Sequence, residues 1–568
     1  MPMPVDIAAV AWRPTVTGST HAAATGHQLA TFAAMRILDG GGNAIDAGVT
    51  AAMALSVLQP DVVSFAGVAP TLVYLKSGEV VSLAGLGYWP AGTDIAALRR
   101  AGTGSVPEGV MRQIIPAAPA THIEALRRFG TISFEQAASA ARDLARDGFA
   151  VYPQLADVLE AHGGEIDRFA TNAAIFRPGG KTPPVGSVLR QLDLARTIDS
   201  MIAAEREHRG DRDSKLRAVH DFFYTGPIAQ RIVRFHEEAG GFIRAADLRD
   251  FQVPVEASIS TRVFGLDVHA CDVWCQGIVL LEALKLLEGV PLREQGHNST
   301  AHIHWMTEAL NLAFADREAF IGDPRFVQVP TQKLLSQDYA NAQRARIDGA
   351  RALGRMYGAG EGLRMPAGEA TRAAPDTIYA AIMDRYGNGY SATPSDTMYD
   401  SPMVPDLGFV VSTRGAQSRL EPDHPAVVAP GKRPRLTPTP AMALDGGKLR
   451  MAWGTPGGDV QCQAMLQVFL NIAVFGMAVQ PAIEAPRIGT FNFPGSFAPH
   501  PYHPGRLYVE DRIAQSTREA LAAMGHNVQT WSSISWSAGA VCAIWRDPAT
   551  GQLHAGADPR RSAYAMAW

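Results

Sequence analysis

The sequence predicts a mixed α/β fold, helix-rich in its first part and β-rich after residue 376. Three observations carry that expectation. Long apolar helical stretches dominate the first part, a composition break follows at Gly354–Pro375, and an alternating hairpin pattern opens directly after the break. The chain has 568 residues, of which 47% are hydrophobic and 19% charged. That is ample material for a large buried core and too little charge for global disorder. Lys+Arg total 51 against Asp+Glu 55, a net charge of −4. Such a balance leaves no basic footprint and argues against nucleic acid as a partner.

Taken in order, Met1 to Thr15 shows no basic start followed by an apolar run, so no secretory signal is expected. Gln28–Leu38 reads as an amphipathic helix stopped by Gly40, Gly41 and Gly42. Ala44–Leu58 is apolar on all faces, which marks a buried helix, and Pro60 ends it. Strands are expected at Thr71–Leu75 and Val80–Leu83 around a Ser77-Gly78 turn. From Pro116 to Gly289 helical stretches alternate with short loops, the clearest being Val279–Leu287. His302–Phe320 is a further long helix, ended by Gly322-Asp323-Pro324. Gly354–Pro375 reads as a flexible, exposed loop that separates residues 1–376 from 377–568. The longest apolar stretch, Met465–Val479, is broken by Gln467 and Asn471 and falls short of the ~20 residues a bilayer needs. The expectation is a soluble, cytoplasmic protein with no membrane partner. Four cysteines, Cys271, Cys275, Cys462 and Cys542, are too few for a disulfide scaffold. The C-x3-C spacing of the first two lacks a second pair nearby, so no metal site is expected and buried core roles are assigned.

Thr377–Asp384 is a strand candidate, and Arg385-Tyr386-Gly387 supplies a three-residue turn with Gly387 at the left-handed position. Pairing Asp384 with Asn388 sets Thr377 opposite Ser395, with Cβ atoms ~5 Å apart. Pro394 works against a regular ladder there, because it has no N–H to donate. Cleavage after Asp376 would leave Thr377 as a chain terminus at the head of a strand. An N-terminal threonine combines two functions. Its α-amine, with a reference pKa of ~8, serves as base for its own hydroxyl. Thr455-Pro456-Gly457-Gly458-Asp459 follows the strand candidate Leu449–Trp453. Its adjacent glycines let two backbone N–H groups approach a developing oxyanion. Neither a dinucleotide-binding nor a P-loop pattern occurs there.

These segments together resemble the γ-glutamyltranspeptidase family of N-terminal-nucleophile hydrolases. Gly41-Gly42-Asn43-Ala44-Ile45-Asp46-Ala47 looks like the family's GGNAxDA. Ala313-Phe314-Ala315-Asp316-Arg317 with Gly322-Asp323-Pro324 looks like its AFADR…GDP helix. Pro430-Gly431-Lys432-Arg433-Pro434 and Thr455-Pro456-Gly457-Gly458 look like two further signatures. The resemblance covers most of the chain. It implies a four-layer αββα sandwich and a precursor that cuts itself between Asp376 and Thr377. The fragments 1–376 and 377–568 would remain associated as a heterodimer. It further implies that Thr377 attacks an amide carbonyl of a small-molecule substrate and passes the acyl group to water or an amine. Ser395 falls where the family has a supporting threonine, Gly457 and Gly458 fall on its oxyanion glycines, and no metal or organic cofactor is implied.

Substrate-recognition positions depart from the family pattern. In Ala84-Gly85-Leu86-Gly87-Tyr88-Trp89-Pro90, Leu86 stands where the family carries its carboxylate-gripping arginine. Gln417 replaces an acidic residue that meets the α-amine, Leu436-Thr437 replaces a serine pair, and Thr397 replaces an asparagine. The glycine run is reduced to Phe65-Ala66-Gly67-Val68-Ala69. A buried carboxylate without its arginine loses a charge-assisted pair, at a cost of ~3–5 kcal/mol. The expected acyl group is therefore not γ-glutamyl. Leu86, Tyr88 and Trp89 suggest a more apolar acyl pocket, and Arg414 falls where the family places a substrate-side residue. Two other readings stand beside this one: a true γ-glutamyltransferase or glutathione hydrolase, and an unprocessed, inactive binding protein.

Overall fold

Alternation along the strands sorts the apolar side chains into three layers. In the computed structural model, which describes residues 11–102, 104–358 and 377–568, Ala380 and Ile382 face one way and Ala381 and Met383 the other. On a second sheet Ala441 and Ala443 face outward, while Met442 and Leu444 face the first sheet. This is the period-two pattern of strands buried on both faces.

Two seven-stranded antiparallel sheets result. One runs, in spatial order, Tyr564–Ala567, Ala22–Thr25, Ala380–Met383, Gly389–Ala392, Thr71–Tyr74, Val80–Leu83 and Val255–Ala257. The other runs Val16–Gly18, Leu553–Ala557, Cys542–Arg546, Lys448–Gly454, Ala441–Asp445, Leu266–Ala270 and Ile259–Val263. Each draws strands from both sides of residue 376. Helices Gln28–Asp39, Ala44–Leu58, Ala118–Phe129 and Phe134–Asp147 cover the outer face of the first sheet. Gly277–Leu287, Thr300–Phe320 and Val460–Ala473 cover that of the second. The middle layer lies between the sheets and is rich in small residues such as Ala22, Ala24, Ala381, Ala452 and Ala555. The architecture is the expected four-layer αββα sandwich.

The hairpin takes the expected register. Ala380 pairs Ala392, Met383 pairs Gly389, and Thr377 bridges Ser395. Gly387 has a φ of 92°. The carboxylate of Asp384 holds the turn together. It accepts from the N–H groups of Tyr386 and Asn388, each at 2.8 Å, and from Asn388 Nδ2 at 2.9 Å. It also accepts from the N–H of Ala44 at 2.8 Å. That last bond fastens the turn to the first residue of the buried helix. The helix N-terminus is itself closed by a capping box between Asn43 and Asp46. The GGNAIDA segment is thus a structural clamp. Pro394 thins the ladder, and regular strand pairing stops at Ala380 and Ala392.

The structure departs from expectation between Pro116 and Gly289. Three strands, Val255–Ala257, Ile259–Val263 and Leu266–Ala270, stand where helices and loops were expected. They are partly exposed edge and near-edge strands carrying Glu256, Arg262 and Asp267. The Phe264-Gly265 turn joining the last two has positive φ at both residues, and its phenylalanine hides the usual turn signal. Of the loop expected over 354–376, only residues up to 358 are described. Within it Tyr357 is buried rather than exposed. The four cysteines are buried and unlinked. Among the described residues no helix is long and apolar enough to cross a membrane.

Asp384→Ala would strand several backbone donors at once. It is expected to lower stability by about 3 kcal/mol, at ~1–3 kcal/mol for each donor left without a partner. A shift of the urea midpoint checks this; an unchanged midpoint would show that the clamp is dispensable.

Candidate active site

Thr377 and Ser395 face each other at the end of the hairpin, both fully buried, with Oγ1 and Oγ 2.8 Å apart. Ser395 is fixed from behind. It pairs through its backbone with Val68 in both directions, at 2.9 and 3.2 Å. Gly67 is required there, because a Cβ would come within 2.2 Å of the Ser395 carbonyl oxygen. The glycine retained within Phe65–Ala69 therefore backs the second hydroxyl.

Two side chains not foreseen, Gln461 and Asp396, complete the arrangement together with Arg414, expected as a substrate-side residue and found on Ser395. Gln461 Nε2 lies 3.5 Å from Thr377 Oγ1, and its Oε1 accepts from the Thr439 N–H at 3.2 Å, which orients the amide. Arg414 donates to Ser395 Oγ and stacks over the Phe497 ring at 5.2 Å. Asp396 lies 3.5 Å from the Arg414 guanidinium and accepts from the N–H and hydroxyl of Thr413. Asp396 has a φ of 134°, a conformation side chains other than glycine rarely adopt. Burial pushes its carboxyl upward, and Arg414 opposes that shift. Gln461 had a sequence signal: a polar residue in the apolar run of a helix that starts right after Gly457-Gly458.

Gly457 and Gly458 have φ values of 127° and 55°, which favour glycine. They form the turn between the strand Lys448–Gly454 and the helix Val460–Ala473. Gln276 donates to the Gly458 carbonyl at 3.0 Å and to that of Thr437 at 3.1 Å. The next residue, Asp459, pairs with Arg317, which is fully buried and also bonds Gln276, Ser496 and the Pro494 carbonyl. Arg317 further pairs with Glu318, on which Arg419, Arg435 and His424 converge. Burial alone would raise the Glu318 carboxyl, but the arginines hold it well below its usual range. The AFADR segment thus anchors the glycine turn.

A cleft of ≈ 400 Å³ opens beside Gly457. Its walls are aromatic, with Tyr399, Phe491, Phe493, Phe497, Trp531 and Trp536. Arg112, Arg506, Arg561, Glu108, Glu165 and Asp400 supply charge. The expected recognition residues divide. Thr397 is fully buried and donates to Asp400 at 2.9 Å; Asp400 pairs with Arg112 at 3.0 Å, and these two, but not Thr397, line the cleft. Gln417 and Thr437 bond each other reciprocally at 2.7 and 3.3 Å. Leu86 is fully buried in the middle layer with Trp89, Leu98 and Ile114. Tyr88 is half-buried between Phe251 and Arg325. None of Leu86, Tyr88 and Trp89 lines the cleft. Asp376 lies outside the described residues.

The pattern of the gamma-glutamyltranspeptidase family matches residues 30–568. The chain belongs to the gamma-glutamyltranspeptidase family. The acylase ACY 1 proenzyme of Pseudomonas sp. (strain SE83) is 30% identical over 525 residues, covering 90% of this chain and 88% of that protein. The oxamate amidohydrolase proenzyme of Klebsiella pneumoniae is 28% identical over 568 residues, covering 97% and 99%. The crystal structure of cephalosporin acylase from Bacillus halodurans superposes with a TM-score of 0.86 at 28% identity, covering 100% of this chain and 98% of that one. This member of the gamma-glutamyltranspeptidase family is an N-terminal-nucleophile hydrolase of the acylase and amidohydrolase kind.

Glu318→Gln would leave Arg317, Arg419 and Arg435 without their shared charge. The expected loss is about 3–5 kcal/mol at neutral pH. Folding lowers the Glu318 pKa, so its contribution is complete above the unfolded value of 4.5 and fades as pH falls through the folded one. The gap between variant and parent should therefore narrow in acid. Denaturant titrations at neutral and acidic pH measure it, and a gap that widens in acid would contradict the assignment.

Proposed function

We propose that the chain is cut after Asp376 and that Thr377, as the new terminus, is the nucleophile of an amide hydrolase whose acyl group is not γ-glutamyl. The observation carrying this reading is the Thr377–Ser395 hydroxyl pair at 2.8 Å, flanked by Arg414 and Gln461. A guanidinium only donates, so Ser395 Oγ accepts from Arg414 and keeps its own proton for Thr377 Oγ1. Gln461 also presents an N–H to that oxygen. Donors on two sides favour a negatively charged nucleophile. The Thr377 proton then passes to the freed α-amine, whose reference pKa of ~8 leaves a useful neutral fraction near pH 7.

Attack on the amide carbonyl forms a tetrahedral oxyanion, which the N–H groups of Gly457 and Gly458 stabilise. Collapse expels the amine, protonated by the α-ammonium, and leaves an ester on Thr377. Water or an amine acceptor then releases the acyl group. Fragments 1–376 and 377–568 form a heterodimer, held by sheets whose strands pair across the cut.

The acyl preference rests on chemistry at the recognition positions. Leu86 supplies no charge and sits in an apolar layer. Gln417 and Thr437 satisfy each other. The cleft beside Gly457 offers aromatic surface, suited to an apolar or aromatic acyl or leaving group. Relatives named acylase, cephalosporin acylase and oxamate amidohydrolase support an amide outside the γ-glutamyl class, while others named glutathione hydrolase support the γ-glutamyl alternative.

Edman sequencing of the smaller fragment is expected to begin Thr-Ile-Tyr, and Thr377→Ala should stay a single chain without amidase activity. A different terminus, or activity in that variant, would defeat the proposal. In a panel of anilides, arylacetyl substrates should exceed the γ-glutamyl one by at least about tenfold in kcat/KM, the size of a contact worth ~1.4 kcal/mol. A γ-glutamyl preference would reverse the substrate assignment.

A further inference from the structure

Away from the cleft, three buried side chains converge with metal-ligand chemistry. His304 and Glu308 lie one turn apart on one face of the helix Thr300–Phe320, and His526 follows the helix Gln515–Ala523. Their ligand atoms all lie within 4.8 Å of one another. The three residues are 0%, 1% and 5% exposed.

The hydrogen bonds around them fix where the lone pairs point. His304 Nε2 stands 2.8 Å from the carbonyl oxygen of Asp348. A carbonyl only accepts, so this nitrogen carries the proton and the lone pair is on Nδ1. Nδ1 in turn lies 2.9 Å from His526 Nε2. Glu308 is oriented by the Tyr357 hydroxyl on Oε2 at 2.5 Å and by Asn311 Nδ2 on Oε1 at 3.2 Å. A histidine N–H on a backbone carbonyl and a carboxylate held by neutral donors are the outer contacts that orient metal ligands. Among the described residues no lysine or arginine pairs with Glu308, which leaves a buried carboxylate without a cationic partner.

We propose that His304, Glu308 and His526 bind one divalent transition-metal ion, zinc by ligand preference, as a tie across the two fragments of the processed enzyme. Two histidines and one carboxylate are a set that zinc accepts. Binding asks only that His526 carry its proton on Nδ1, so that both imidazole lone pairs face the ion. His304 and Glu308 belong to residues 1–376, and His526 to 377–568. That fragment-bridging role rests on cleavage at Thr377, whereas the ligand set does not. Tyr357 and Asp348, which hold Glu308 and His304, belong to the stretch leading up to residue 358. The ion would therefore also fasten the last described stretch of the first fragment.

The test uses the purified processed enzyme and the full-length Thr377→Ala chain, each stripped with chelator and reloaded with zinc chloride. Both should retain about one zinc per chain after gel filtration. Cobalt chloride should give the visible absorption of a four-coordinate site. Glu308→Gln and His526→Gln should each weaken zinc binding by at least about tenfold, the scale on which metal-site contacts act. In the processed enzyme, chelation should lower the urea concentration at which the fragments separate. No zinc or cobalt binding by the parent chain, or equal binding in the variants, would overturn the site. Fragment separation indifferent to chelator would overturn the tie. Zinc retained by Thr377→Ala while the small fragment begins elsewhere would uphold the site and refute only the assigned terminus.

Discussion

The Asp384 carboxylate is the constraint on which the Thr377–Ser395 pair, the proposed catalytic arrangement, depends. It gathers the N–H groups of one tight turn and of the helix that begins at Ala44. Strand pairing has a period of two, so a slip of one residue would turn every side chain of the hairpin to the opposite face. Thr377 would then lose Ser395, and Ala380 and Ile382 would leave the outer core. A short acidic side chain several residues from the reacting atoms thus sets which hydroxyls meet.

The other half of the site has a different support. The Gly457-Gly458 turn carries no side chains of its own, so its shape is imposed by neighbours. Gln276 holds a carbonyl, and Arg317 holds Asp459. Arg317 belongs to a buried group of charges centred on Glu318. Such a cluster stabilises only when every member is paired. Pre-set donors cost no reorganisation when charge develops, and a rigid mounting of this kind suits the proposed oxyanion role.

Much of this was legible in the sequence, for identifiable reasons. The hairpin register followed from a glycine turn and from alternation, both local signals. The buried helices followed from breadth of apolar pattern. The recognition residues were harder. Leu86 aligned with a functional position, yet its side chain belongs to the layer between the sheets, and Tyr88 faces Arg325. One-dimensional order says which strand a residue is on but not which of two apolar layers receives it. Asp396, with its unusual backbone, works through contacts that no local pattern encodes, and Gln461 shows locally only as a polar residue in an apolar helix, its partner Thr377 lying far off along the chain. The strands between 255 and 270 were masked by charges on exposed edges and by a turn built on phenylalanine.

The layer between the sheets mixes alanines with large side chains such as Trp89, Trp274 and Tyr379, whose hydroxyl reaches Ser391. The cleft beside Gly457 lies where strands give way to loops, and part of its aromatic wall, Tyr508 and Trp531, stands on a separate three-stranded sheet. Selectivity can thus diverge by remodelling that wall while the sandwich that aims the nucleophile stays the same.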